Sequence, residues 1–378
     1  YDIELSQDGF DAVNTLTVLQ TQGIGAVPRE LIDRFILHPL YMLLLGALRI
    51  VTPASIDFYF AARLLSSLIA CVAIVLMFEL TRRAFGEIAA WVAALFLAFA
   101  PSFLWESMAI LSSTLFLALY LAVLLALLQS RYRLAAFLAF LAATTRYEGV
   151  VLIALVFVTL LLAKPDRLER PVRSNRVVDW LVGAVCALAF PLTLAATGAL
   201  ATGNPLEFLG AQSMAAIWLR FLAPGDFLKR GAFFITQYAA LFPALIVWLG
   251  IAGAIGALMW RRSRATALLI GTSALYLLFF ELLVWLNYTT LEVRFLMYPG
   301  LPLLVFAGVA LASARQAAGS RQKAEDGKHL PTAYRLLPSG ANLVLGIVLI
   351  ALLVLSYQQG DAGIRFIYNM MASQREMA

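Results

Sequence analysis

Apolar residues in this chain neither alternate nor gather on one helical face; they come in long continuous runs. Runs of roughly 17 to 25 residues recur, each long enough to cross about 30 Å of hydrocarbon as an α-helix. A helix satisfies its own backbone hydrogen bonds in lipid, whereas a barrel strand would alternate polar and apolar positions. The pattern therefore predicts an all-α polytopic membrane protein, with spans near 61–80, 88–104, 108–129, 134–146, 148–163, 179–201, 233–259, 265–286, 296–314 and 341–357, about ten in all. Residues 36–51 (ILHPLYMLLLGALRIV) are too short to span and sit between His38-Pro39 and Pro53, so a helix lying in the interface is expected. Within 202–232 the stretch LEFLGAQSMAAIWLRFL predicts a second interfacial helix.

Composition supports the same class. Hydrophobic residues make up 62% and charged residues 13% of the 378 positions, with a mean hydropathy of +0.87. No soluble domain of ordinary size fits between the runs. A net charge of +6 would suggest nucleic acid if it lay on one soluble face, but the Lys and Arg residues cluster in alternate loops. The clusters at 82–83, 131–133, 164–176, 261–264 and 315–335 hold 17 of the 28, which marks those loops as cytoplasmic. Residues 1–60 then form an outer segment, 61–357 a transmembrane domain with an outer loop at 202–232, and 358–378 an outer tail. The chain begins at Tyr1 in a polar stretch, and a further membrane helix is expected before it. Cys71 and Cys186 lie inside apolar runs and suggest packing, not a disulfide framework.

Several ionisable residues stand where lipid or its interface would make them costly. Asp8 and Asp11, in SQDGFDAVNTLTVLQTQGI, are three apart and would share a helical face. One of them either caps the helix that follows or serves as a general base on a hydroxyl. Arg146 and Glu148, in TTRYEGV, lie between two apolar runs and form either a structural ion pair or part of an anion site. Glu292 and Arg294, in LEVRFLMYPGLP, pose the same choice, with Tyr298 one turn on; Arg294 either grips a phosphate or anchors the interface. Arg63 opens a span, Glu106 sits in the outer turn PSFLWESM, and Glu281 lies near the outer end of an apolar helix. His38 and His329 are the chain's two histidines, and no spacing of His, Cys and carboxylates specifies a metal. Gly-rich phosphate loops and nucleophile elbows are absent.

Six segments in order carry a family resemblance: QDGFDAVNTLTVLQTQG (7–23), HPLYMLLLGALRI (38–50), AARLLSSLIACVAIVLMFELTRRAFG (61–86), the run after PSFLWES, TTRYEGVVLI (144–153) and RFLMYPGLPLLVFAGVAL (294–311). Together they resemble the GT-C membrane glycosyltransferases, above all bacterial relatives of protein O-mannosyltransferases and of the lipid A aminoarabinose transferase. The resemblance implies the GT-C fold, an outer loop with a catalytic acid, and a cavity for a sugar on a polyprenyl-phosphate carrier. Asp8 falls where the family's Asp-Glu pair begins; Gly9 replaces the second acid, so Asp8 acts alone or shares its role with Asp11. Arg294, then Arg63 and Arg146, would hold the donor phosphate. His38, Tyr41, Tyr298, Glu106 and Glu148 would line the pocket, with Glu106 matching a further outer acid of the family. Inverting transfer to a hydroxyl of a glycan, lipid or protein is implied, at the outer face of a bacterial inner membrane, with no cofactor and no essential metal. The rival class is a lipid or sugar transporter or flippase, which would usually show an internal repeat across two halves; none is visible.

Overall fold

The computed structural model describes Leu16 and residues 38–53, 55–162, 176–206, 242–260, 263–285 and 297–325. The described residues form α-helices, one short 3-10 turn and no strand. In chain order the helices are α1 (Pro39–Val51), α2 (Phe58–Phe85), α3 (Glu87–Ala98), α4 (Pro101–Met108), α5 (Ser112–Leu128), α6 (Tyr132–Thr145), α7 (Val150–Leu162), α8 (Arg176–Thr202), α9 (Ala244–Trp260), α10 (Arg264–Trp285) and α11 (Met297–Glu325).

Among the described residues four helices are long and apolar enough to cross a membrane: α2, Val177–Leu200 of α8, Arg264–Leu282 of α10 and Met297–Arg315 of α11. The chain is a multi-pass membrane protein. The expected run at 88–104 is not one straight span. Pro101 has no N–H and blocks a continuous helix, so α3 stops at Ala98, α4 restarts with Pro101, and the pair is bent by 61°. Counted as one broken span, α3 and α4 make a fifth; α5, α6, α7 and α9 are shorter apolar helices. The run at 341–357, most of the amphipathic stretch at 202–232, and the outer tail lie outside the described residues.

α1 forms where the sequence predicts it. Pro39 opens it with a backbone already set for a helix, and Thr52 closes it, its amide donating to the Leu48 carbonyl at 2.9 Å and its hydroxyl at 2.7 Å. At 13 residues it is about 20 Å long, too short to cross.

The chain divides into two compact units. The first draws on residues 1–76, 105–231 and 274–291. Its central element is α6, which packs against α1, α5, α7 and α8. Ala135, Ala139, Ala142 and Ala143 are fully buried on α6, and residues this small let neighbouring helices approach closely. Tyr41, Met42 and Leu45 of α1 bury against Phe58 and Ala62 of α2 and Ile110, with Leu16 packed on the same cluster. The outward stripe of α2, at Phe60, Leu64, Leu68, Val72 and Val75, is apolar and exposed, as a lipid-facing surface must be.

The second unit draws on residues 77–104, 232–273 and 292–378. There α11 packs against α9 and α3. A side chain at Gly253 would meet the Phe306 carbonyl at 1.9 Å, and one at Gly250 the Leu303 carbonyl at 2.6 Å. Only glycine allows the α9 and α11 backbones to lie so close.

Candidate functional site

Polar groups in the first unit collect where α6 ends. Thr144 and Thr145 close that helix, their hydroxyls donating to carbonyls one turn back, Thr145 to Leu141 at 2.8 Å and Thr144 to Leu141 at 3.0 Å. Arg146 then turns extended, at φ −152° and ψ 139°, and Tyr147–Gly149 form a single 3-10 turn into α7. A Cβ at Gly149 would lie 2.3 Å from the Ala143 amide nitrogen, so the reversal is closed against the end of α6 as only glycine permits.

This tight turn brings Glu148 back onto Arg146. Nη2 donates to Oε1 at 2.7 Å, while Nε lies 3.1 and 3.2 Å from the two carboxylate oxygens. Nη1 points to the Ser112 hydroxyl at 3.4 Å, at the start of α5. The Arg146 side chain is 8% exposed and that of Glu148 0%. A guanidinium does not lose its proton, so at this depth it requires the opposite charge beside it. The choice between ion pair and anion site thus meets a definite geometry: two of the three guanidinium nitrogens are engaged by Glu148.

Around the turn, Ser113 and Thr114 of α5 are buried, and the Thr114 hydroxyl donates to the Glu106 backbone carbonyl at 2.9 Å. Glu106 itself is 2% exposed, inside α4 instead of in an open outer turn. The Ser67 hydroxyl of α2 donates to the Ser107 carbonyl at 3.3 Å. From α1 comes His38, whose Nδ1 lies 2.9 Å from the Thr145 carbonyl oxygen. Tyr41, one turn on, is buried; removal from water pushes its phenol up, with the Ser66 hydroxyl acting in the opposite sense. Arg49, in the last turn of α1, lies over the Phe58 ring at 5.1 Å and ties that end to α2.

Three-dimensional comparison finds the same helical arrangement in solved membrane proteins. The oligosaccharyltransferase AglB of Archaeoglobus fulgidus, solved with an inhibitory peptide and a dolichol-phosphate, matches with a TM-score of 0.61 at 16% identity, over 94% of this chain and 51% of that one. ArnT from Cupriavidus metallidurans matches in its apo state with a TM-score of 0.57 at 16% identity, over 95% and 68%. Its complex with undecaprenyl phosphate matches with a TM-score of 0.53 at 15% identity, over 95% and 70%. This is the GT-C membrane glycosyltransferase fold. The chain spans about half the length of the archaeal oligosaccharyltransferase. No family model matches the sequence, and no curated protein matches it.

On this GT-C scaffold the residues singled out from sequence fall into three groups. His38, Tyr41, Arg63, Glu106, Arg146 and Glu148 all belong to the first unit, Arg63 half-buried on α2. Tyr298 is buried near the start of α11 in the second unit. Asp8, Asp11 and Arg294, with Glu292, lie outside the described residues. Sequence reasoning passed over Ser112, Thr114 and Thr145. Their signal was present: LSST at 111–114 and ATT at 143–145 put clustered hydroxyls at the ends of apolar runs, beside the charged turn. Another of the neighbouring oligosaccharyltransferase structures is a complex with zinc and sulfate. Among the described residues no three His, Cys, Asp or Glu side chains come together to hold a metal, and no step below is drawn through one.

Proposed function

We propose that the chain is an inverting glycosyltransferase that moves a sugar from a polyprenyl-phosphate carrier to an acceptor hydroxyl at the outer face of a bacterial inner membrane. The observation that carries this reading is the fold, shared with AglB bound to a dolichol-phosphate and ArnT bound to undecaprenyl phosphate. In this reading about ten spans carry the donor cavity, with residues 1–60 and 202–232 on the outer side.

Asp8 is the general base, with Asp11 beside it in sequence. It takes the proton from the acceptor hydroxyl as that oxygen attacks the anomeric carbon from the side opposite the phosphate. The bond between anomeric carbon and phosphate oxygen breaks, the polyprenyl phosphate leaves with the electron pair, and the configuration at carbon inverts. The growing charge on the leaving phosphate needs a cation placed in advance. Arg294 is the first choice for it and Arg63 the second. Arg146, already facing Glu148 across three contacts of 2.7 to 3.2 Å, suits holding the turn better than gripping a departing group. Tyr41 and Glu106, both of the first unit, line the pocket in this scheme. The acceptor is a glycan, lipid or protein hydroxyl.

The decisive experiment compares lipids that co-purify with the wild-type chain and with Asp8→Asn, weighed by mass spectrometry. A polyprenyl-phosphate sugar enriched in the variant is expected, together with loss of transfer. Only ordinary phospholipids in both, with no transfer from a panel of polyprenyl-phosphate sugars, would overturn the reading and favour a transporter.

A further inference from the structure

α1 begins immediately after the segment that carries Asp8 and Asp11, and α6 ends immediately before Arg146. One side chain joins these two helix ends. His38 precedes α1, and its own carbonyl accepts the amide of Met42 at 3.1 Å, in the first turn of that helix. Its ring makes no cap for α1. Instead Nδ1 lies 2.9 Å from the carbonyl oxygen of Thr145, 107 positions away.

Thr145 is the last residue of α6, and its carbonyl is among those a helix leaves without an intrahelical donor. The α6 carbonyls also gather the negative end of the helix dipole, which favours a donor there. A carbonyl oxygen can only accept, so the contact requires the hydrogen on Nδ1. Both ends are packed. The Thr145 side is held by Gly149 closing against Ala143 and by the buried Arg146–Glu148 pair. The α1 side is held by Tyr41, Met42 and Leu45, all buried in the cluster with Phe58, Ala62 and Ile110.

We propose that His38 is a positioning residue: through its Nδ1–H it pins the start of α1 to the end of α6, and so fixes where the acid-bearing outer segment joins the membrane domain. The assignment rests on the glycosyltransferase reading for its effect on transfer, and on geometry alone for the bond. It differs from a pocket-lining role, in which the ring would touch the donor.

Two substitutions separate these roles, because an Asn amide reaches the place of a histidine Nδ1 and a Gln amide the place of Nε2. His38→Asn is expected to keep transfer within about threefold of wild type. His38→Gln and His38→Ala are expected to lose about tenfold or more, the scale of one hydrogen bond, in kcat with KM little changed. Retention by His38→Gln with loss in His38→Asn, or a rise in KM as the main effect, would overturn the proposal.

A second readout does not depend on activity or on any His38 variant. The chain has two histidines, so 15N-histidine NMR of the full chain in detergent, with His329→Gln to remove the other signal, reports the state of His38. A proton on Nδ1 is expected; an unprotonated Nδ1 would refute the bond. Absence of transfer by the wild-type chain would sink the proposed function while the nitrogen spectrum still decides the tether.

Discussion

Replacing Glu148 by Gln removes one charge and almost no volume, which makes it a direct test of the buried pair. The carboxylate is 0% exposed and receives three guanidinium contacts at 2.7, 3.1 and 3.2 Å. After the change Arg146 keeps its charge at 8% exposure, with a neutral amide and the Ser112 hydroxyl as its described neighbours on that side. Breaking a buried pair by removing one partner typically costs about 3–5 kcal/mol, because the charge that stays buried loses its opposite charge. Replacing both partners removes that penalty, so Arg146→Met combined with Glu148→Gln is expected to recover most of the loss. The assay is equilibrium unfolding of the purified chain in mixed micelles, followed by circular dichroism for the wild type, both single variants and the double variant. A loss below about 1 kcal/mol in Glu148→Gln, the scale of an exposed pair, or additive losses in the double variant, would refute the argument that the pair is desolvated and coupled.

The glycines give a contrast of opposite sign. Gly253→Ala would place a methyl group 1.9 Å from the Phe306 carbonyl and force α9 from α11, with a cost of about 1–3 kcal/mol or more in the same unfolding assay. Gly271→Ala meets nothing within 4 Å inside α10 and is expected to be neutral or to stabilise by up to about 1 kcal/mol. Leu45→Ala empties a fully buried position on α1 and is expected to cost about 2–5 kcal/mol, read by unfolding and by faster proteolysis near residues 38–53. Asp8→Asn is expected to abolish transfer with unfolding unchanged, checked by single-turnover assay beside the melt.

Hydropathy read the helical class well because each apolar run carries its own transfer free energy, whatever its neighbours. The start of α1 at Pro39 and its stop at Thr52-Pro53 were legible for the same local reason. At 88–104 the same method averaged over Pro101, whose missing N–H divides α3 from α4. The charged turn was visible as Arg146 and Glu148, yet the sequence offered two roles for it. Serine and threonine in LSST and ATT looked like ordinary helix ends, since a hydroxyl's partner is not written beside it. Glycine gives a comparable lesson: Gly253 and Gly271 look alike in an apolar run, and only one of them lies against another backbone.

Sequence alone determined that this chain lives in a membrane as helices, which of its loops are basic, and which few ionisable residues need explaining. These are properties of single segments in contact with lipid or water. Tertiary structure decided which groups meet: Glu148 folding back on Arg146, Ser112 beside it, and His38 reaching Thr145 across 107 positions. A hydrogen bond or ion pair depends on separations of about 3 Å, and no pattern along the chain encodes such a distance between helices far apart in sequence.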